Sequence, residues 1–436
     1  MFLHYLDLAW RSIRKTPALS LLMVTAIAIG IGITTTTLNI YQMMALNPTG
    51  ERSEQLHAVQ LWSHGPDTWD EFHMQITYQD AMNLRNLAPQ FKQLAQMRSG
   101  MVIQVDSDKF EPELRAVRVT DSDFFSMFSV PFLYGTSWGE QVDKDAAYHV
   151  VISEKYNQKM FGGGDNVGKT VYLNRKPYQV VGIVDNWNPQ PKFFDPMNGA
   201  FRDAEEVFVP FSLLPIEKFQ VWGNISGWKH EDTKNFSDTV KSEKVWIQYW
   251  VELNSQESRQ QYKQILTGYI DEQKALGRFT DNKTSADSSR LNTVAQWLSI
   301  AEVIKEDNRI LVGLSFLFLS VCLVNILGLI LTKFLKRTSE VGVRRAIGAS
   351  RMHIFSQYMV EVGIIGLLGG LVGLALASGM LYLLGEKFGM DSSLISMSNS
   401  MWFIAPFIAI MTTLVAGIFP AWKVCHTKPS VYLKSQ

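Results

Sequence analysis

Apolar residues fall along this chain in four long, charge-free runs, at 18–45, 310–332, 362–385 and 401–422. Each supplies the roughly 20 apolar residues that a helix needs to cross a bilayer, so the pattern predicts an integral membrane protein with four spanning helices. Ahead of the first run, Phe2, Leu6, Leu8, Ala9, Trp10 and Ile13 recur among polar residues at helical spacing, which predicts a short helix lying in the membrane interface. The first run exceeds the roughly 7 to 15 residues of a signal-peptide core, and no small-x-small cleavage site follows it, so it is expected to stay attached as an anchor.

Between the first and second runs the period changes. Residues 56–62 and the later VWIQYWVEL alternate as strands do. TYQDAMNLRNLAPQF repeats as a helix through Tyr78, Ala81, Leu84 and Leu87, and MVIQVD then returns as a strand. SRQQYKQILTGYIDEQKALGRF repeats as a longer helix through Tyr262, Ile265, Leu266, Tyr269 and Ile270. The segment reads as two β-α units flanking a strand-rich middle, the flanking units pairing into one α/β layer with the middle inserted between them.

Charge orients the spans. Arg11, Arg14 and Lys15 precede the first, Lys333, Lys336, Arg337, Arg344, Arg345 and Arg351 lie between the second and third, and Lys423, Lys428 and Lys434 follow the fourth. By the positive-inside rule all three regions are expected in the cytoplasm, with 50–309 and a short turn near 386–391 on the far side. The zero formal net charge and 47% hydrophobic content would also suit a soluble protein; the clustering of apolar residues decides the class. The two cysteines, Cys322 and Cys425, lie in or beside spans, so the external segment must rely on its own core rather than on disulfides.

Candidate chemistry is sparse. Gly163-Gly164-Asp165-Asn166-Val167-Gly168-Lys169-Thr170 fits the phosphate-loop pattern G-x-x-x-x-G-K-[ST]. In a nucleotide site such a loop leaves a strand and opens a helix whose amides hold the phosphates. Here a helical pattern precedes it and an alternating one follows, so Gly163 to Thr170 reads as a turn whose glycines supply positive φ, with a hairpin expected at 174–177. His64 and His73 lack metal-site spacing and a third ligand, and read as surface histidines. No metal site and no catalytic set is expected.

Within the spans, Asn39, Gln42, Asn325 and Glu361 are polar or charged. Such residues mark a pathway or tie helices together; packing is the reading adopted, with Asn325 bonded between helices. Gly30 and Gly32 in the first span, and Gly366, Gly369, Gly370 and Gly373 in the third, permit close helix approach of a kind that suits a moving dimer seam. The connector KFLKRTSEVGVRRAIGASR, 333–351, is basic and amphipathic. On a helix over 338–347, Val341, Ala346 and either Val343 or Ile347 form an apolar contact, with Glu340, Arg344 and Arg345 beside it at i, i+4 and i+5. It reads as a helix that seats in a partner's groove and transmits motion, the alternative being a basic loop that only sets topology. Gly348 would end the helix and Ser350 would cap the next.

Several stretches resemble one family, the MacB/FtsX-like permeases of ABC transporters. SEVGVRRAIGASRMHIFSQYMVE is similar to the signature E-[IV]-G-[VI]-R-[RK]-A-[LI]-G-A-[ST] after that family's second helix, and LDLAWRSIRKTPALSLLMVTAIAIGIG resembles its elbow and first span. VTDSDFFSMFSVPFLYG and VVISEKYNQKMFGGGDNVGKTVYLNRKPYQVVGIV resemble successive parts of the MacB-like periplasmic domain, and AGIFPAWKVCHTKPSVYLK resembles the closing segment.

The resemblance implies an α-helical membrane protein of a bacterial inner membrane, with four transmembrane helices, cytoplasmic termini and a large α+β periplasmic domain between helices 1 and 2. Its implied divisions are an interfacial helix at 1–17, helix 1 with a stalk at 18–46, the periplasmic domain at 47–290, a stalk and helix 2 at 291–335, a coupling segment at 336–353, helix 3 at 354–385, a periplasmic turn at 386–400, helix 4 at 401–422 and a tail at 423–436. The domain would divide into a Porter-like part (54–105 and 243–290) and a Sabre-like part (106–242). Glu340, Val341, Gly342, Val343, Arg344, Arg345, Ala346 and Gly348 would couple to an ATPase.

The same resemblance implies a dimer with a second copy or a sister permease, embedded in membrane lipid and worked by a separate ABC ATPase that binds ATP and Mg, since the chain opens at the elbow. No cofactor, enzymatic activity or nucleic acid is implied for the chain itself. A periplasmic adaptor and an outer-membrane channel would carry a peptide, toxin or antibiotic-like cargo onward, driven by mechanotransmission. The alternatives within the wider family are a lipoprotein-releasing permease of the LolC/LolE kind and an FtsX-like regulator of a cell-wall hydrolase that transports nothing. NWNPQPKFFDPMNGAFRDAEE and VWGNISGWKHEDTKNF match no part of the general pattern and read as long loops, which either bind cargo or adaptor or vary as loops do.

Overall fold

The computed structural model describes residues 2–44, 47–65, 71–106, 110–303, 306–388, 397 and 400–426. Its helices in chain order are α1 (Phe2–Lys15), α2 (Pro17–Met44), α3 (Tyr78–Leu87), α4 (Asp123–Met127), α5 (Glu140–Asp145), α6 (Glu154–Phe161), α7 (Leu214–Glu217), α8 (Phe236–Lys241), α9 (Gln256–Ala275), α10 (Val294–Ile300), α11 (Glu306–Leu335), α12 (Thr338–Ala346), α13 (Arg351–Phe388) and α14 (Met401–Cys425). The strands are β1 (Leu56–Leu61), β2 (Ile76–Thr77), β3 (Gln93–Gln104), β4 (Glu113–Thr120), β5 (Phe132–Gly135), β6 (His149–Ser153), β7 (Thr170–Leu173), β8 (Lys176–Val184), β9 (Val207–Pro210), β10 (Val245–Glu252) and β11 (Ser289–Thr293). They divide into two compact units, Met1–Ala45 with Ile304–Gln436, and Leu46–Val303.

In the first unit, α2, α11, α13 and α14 are long and apolar enough to cross a membrane. Pro17 opens α2, a position where its missing N–H costs nothing, and so separates α1 from the first span. The third span exceeds its apolar run because α13 already begins at Arg351. The predicted turn at 386–400 falls mostly outside the described residues, as does the tail beyond His426 with Lys428 and Lys434.

Two interleaved glycine pairs bring the spans together. A Cβ on Gly366 would meet Thr413 Oγ1 at 2.1 Å, and one on Gly370 would meet Ala409 Cβ at 2.8 Å, both on α14. On the neighbouring face, a Cβ on Gly369 would meet Ile27 at 2.5 Å and one on Gly373 would meet the Ala28 carbonyl at 3.0 Å, both on α2. A Cβ on Gly32 would in turn meet the Gly373 carbonyl at 3.3 Å, and one on Gly30 would meet Leu319 of α11 at 3.0 Å. Spacing of four places each pair on one side of α13. These glycines therefore close helix seams within the chain.

In the second unit the described strands form one eleven-stranded sheet, with β1 between β11 and β10 and the order continuing through β3, β4, β9, β6, β8 and β5. His57 of β1 lies opposite both Val251 and Thr293, so the two ends of the segment sit side by side. Residues 291–303, expected as a stalk, belong instead to this unit: Leu291 pairs with Val59, and Trp297 is buried with its indole donating to the Phe193 carbonyl at 2.9 Å. The middle strands extend the same sheet, with β4 parallel to β9 and β6 parallel to β8.

Alternate strand residues feed two cores. Val207 and Val209 of β9 join a largely aliphatic core with Met97, Val119, Val180 and Leu266, whereas Phe208 joins an aromatic one with Phe124, Phe128, Phe194, Trp250 and Trp297. Burial on both faces accounts for the continuous apolar run of β9, Val207–Pro210. A capping box at Ser255 and Ser258 starts α9, whose Tyr262, Leu266, Tyr269 and Ile270 are buried.

Candidate functional site

The connector is a helical corner. Gly348, at φ +103°, ends α12 in a conformation that residues with a Cβ rarely adopt, and the Ala349 amide donates back to the Arg344 carbonyl at 3.0 Å. Ser350 Oγ then accepts the His353 amide at 3.2 Å and starts α13. Side chains brace both limbs: Arg344 pairs with Glu340 at 2.5 Å and donates to Gln357 of α13 at 3.1 Å, while Arg345 donates to the Cys425 carbonyl at the end of α14 at 3.2 Å.

The apolar residues divide differently from the predicted contact face. Val341 is buried against the chain's own helices, because it lies on the side of α12 that faces the spans, and Gly342 is buried beside it. Val343 is 53% exposed and Ile347 82% exposed, and Ala346 is exposed too. The outward surface is therefore Val343, Ala346 and Ile347 beside the Glu340–Arg344 pair.

Lys333, placed among the cytoplasmic charges by sequence, is 1% exposed and pairs with Glu361 at 2.6 Å. Charge count located both residues, but only packing shows that they meet. Asn39 is buried. Asn325, expected to tie helices together, instead stands on the exposed face of α11 with Val321 and Val324. It has no hydrogen-bond partner among the described residues, since its helical position turns it away from the other spans.

In the second unit the phosphate-loop lookalike runs from α6 into β7, so its amides gather at no helix N-terminus. Gly162, Gly163, Gly164 and Gly168 have positive φ. Asn166 Nδ2 binds the Gly163 carbonyl at 3.0 Å, and Lys169 lies over the Phe161 ring at 4.9 Å. Asn174 and Arg175 turn the following hairpin with positive φ.

His64 and His73, read as surface residues, are buried and stacked with ring centroids 4.3 Å apart. Burial holds both imidazoles below their usual range. A cavity of about 400 Å³ is lined by Arg85, Lys92, Asp121, Asp123, Glu140 and Lys144 among others. Burial, with help from Asp143 and against the opposing charge of Arg85, pushes Asp121 up to about 6. Among the described residues, no group of three His, Cys, Asp or Glu side chains is placed to hold a metal ion.

These features define a membrane protein whose four apolar helices accompany a mixed α/β domain inserted after the first of them. Residues 20–269 match the model of the MacB-like periplasmic core domain, and 312–429 match that of the FtsX-like permease C-terminal region. The chain belongs to this family of MacB/FtsX-like ABC transporter permeases. It is 25% identical over 326 residues to the pyoverdine export ATP-binding/permease protein PvdT of Pseudomonas syringae pv. syringae, covering 72% of this chain and 42% of that one. It is 22% identical over 325 residues to the macrolide export ATP-binding/permease protein MacB of Vibrio parahaemolyticus, again covering 72% and 42%. The chain thus spans about 42% of the length of these relatives. Among solved structures it is similar to the periplasmic region of MacB from Actinobacillus actinomycetemcomitans, with a TM-score of 0.34 and 13% identity over 59% of this chain and 95% of that one. It is similar also to the extracellular domain of the ABC-type transporter YknZ from Gram-positive bacteria, with a TM-score of 0.33 and 14% identity over 54% and 98%.

Proposed function

We propose that this chain is the permease subunit of an ABC-type efflux system in a bacterial inner membrane. The observation that carries the reading is α12, a helix braced against α13 and α14 that turns Val343, Ala346 and Ile347 outward beside Glu340 and Arg344. An apolar strip flanked by paired charges suits the groove of a separate ATPase subunit, which would hold ATP and Mg. Arg11, Arg14, Lys15, Arg345, Arg351 and Lys423 support a cytoplasmic location for this end and for both termini. The domain formed by Leu46–Val303 then works on the periplasmic side, with 54–105 and 243–290 as its Porter-like part and 106–242 as its Sabre-like part. A second copy or sister permease completes the dimer; an outward-facing Asn325 is costly against lipid, which supports a partner over that face of α11. ATP-driven motion reaches the periplasmic domain mechanically and moves a peptide, toxin or antibiotic-like cargo to an adaptor and an outer-membrane channel.

The test is charge reversal on the connector. Glu340→Lys combined with Arg344→Asp is expected to leave membrane insertion intact while ATP hydrolysis no longer drives export, measured as cargo release per ATP consumed. Undiminished export would overturn the assignment of α12. Purification of the chain in mild detergent from its host, with mass spectrometry of its companions, checks the partners: an ATPase with an adaptor supports efflux, and a cell-wall hydrolase opposes it.

A further inference from the structure

Three ionised side chains lie together inside the helix bundle where α11 gives way to α12. Lys333 Nζ and Glu361 Oε1 are 2.6 Å apart, and each side chain is 1% exposed. Arg337 Nη1 stands 3.8 Å from Glu361 Oε2. Ser12 of α1 donates its hydroxyl to Glu361 and accepts from Arg337 Nη1, while Arg337 Nη2 donates to the Ser12 carbonyl at 3.2 Å. Lys333 also donates to Ser20 Oγ of α2 at 3.1 Å. One carboxylate on α13 therefore gathers α1, α2, the end of α11 and the residue that immediately precedes α12.

We propose that Glu361, Lys333 and Arg337 form a coupling node that passes displacement of α12 to α1, α2 and α13. The proposal rests on the reading of α12 as the docking helix of an ATPase. Three observations carry it. Arg337 belongs to the connector by position, yet its guanidinium reaches Ser12 of α1 and stands beside Glu361, so a shift of α12 either carries those contacts along or exchanges one for the other. The Lys333–Glu361 pair resists separation, since parting the two would leave uncompensated charge in a dry interior. Glu361 Oε2 is buried without a hydrogen-bond partner while Arg337 waits 3.8 Å away. A movement of about 1 Å would bring that contact to charge-assisted hydrogen-bond length and trade it against the Ser12 contacts. Two alternative sets of contacts around one carboxylate are what a bistable element requires. Lys333, Arg337 and Glu361 act as positioning residues in this scheme.

The experiment uses the full chain, purified with the ATPase that accompanies it and reconstituted in lipid nanodiscs. Hydrogen–deuterium exchange is compared for 2–15 and 338–346 with no nucleotide and with vanadate-trapped ATP. In the wild type both segments are expected to change protection. Glu361→Gln keeps the volume and a hydroxyl contact; its α12 is expected to respond still, its α1 to lose the response, and cargo exported per ATP to fall at least tenfold. Lys333→Met combined with Glu361→Leu removes the buried pair together and leaves Arg337, 16% exposed, on its Ser12 contacts; it serves if the single variant fails to assemble, and the same loss is expected. A merely structural ion pair would lower thermal stability while leaving export per ATP and the α1 response intact in whichever variant folds, and that result would overturn the node. Absence of any nucleotide response at wild-type α12 would instead bring down the ABC reading on which the node rests, so the two failures are distinguishable.

Discussion

Arg118 shows what burial does to charge in the second unit. Its guanidinium, wholly buried, donates to Asp195 at 2.7 Å and Glu205 at 2.6 Å and lies over the Phe194 ring at 5.1 Å. Burial alone would raise the Glu205 carboxyl, but Arg118 and Lys192 outweigh it and hold the group well below the usual carboxylate range. Histidines here behave in the opposite way. Burial, then the charge of Arg259, lowers His57 to about 4 against the pull of the Gln55 carbonyl; burial, then His64, lowers His73 to about 4. The unfolded chain binds protons at these sites near pH 6.5, whereas the folded chain refuses them until about pH 4. Their contribution to stability is therefore complete above about 6.5 and lost as pH falls towards 4. Asp121, raised to about 6 chiefly by burial, works in the opposite sense, so the histidine effect is best read by difference. His73→Phe, which keeps a ring to stack on His64, is expected to lose less melting temperature between pH 7 and pH 5 than the wild type, as measured by calorimetry in detergent.

At the scale of elements, the glycines of α13 differ in what surrounds them. Gly370 has Ala409 Cβ at 2.8 Å and Pro406 Cα at 3.0 Å from where a Cβ would stand, whereas Gly379 has nothing within 4 Å. Gly370→Ala is therefore expected to cost about 1–3 kcal/mol by overpacking and to lower the thermal midpoint of the detergent-solubilised chain. Gly379→Ala is expected to leave that midpoint unchanged. Equal effects would mean that the α13–α14 seam is looser than these distances. The sequence pattern marked which residues are small, but not which neighbour each one admits. It also marked Glu361 without its partner, because Lys333 reads as one more positive charge of the connector until the helices are packed.

At the scale of the whole molecule, the chain divides at two places into units with separate cores. Residues 46–303, expressed alone, are expected to fold cooperatively, giving one sharp thermal transition and dispersed amide resonances; a molten product would show that the spans are needed to complete the sheet. The four apolar helices, the short helix α1, the flanking β-α units, the hairpin at Asn174 and the helix stop at Gly348 were all legible in sequence. Each rests on a local rule: apolar length, a period of 2 or 3.6, or a residue able to take positive φ. Tertiary structure alone decided the rest. It brought β1 between β10 and β11, drew 291–303 into the sheet, buried His64 against His73, turned Asn325 outward and joined Lys333 to Glu361. These outcomes depend on which distant surfaces meet, and a periodicity specifies a residue's face on its own element without naming the element that will cover it.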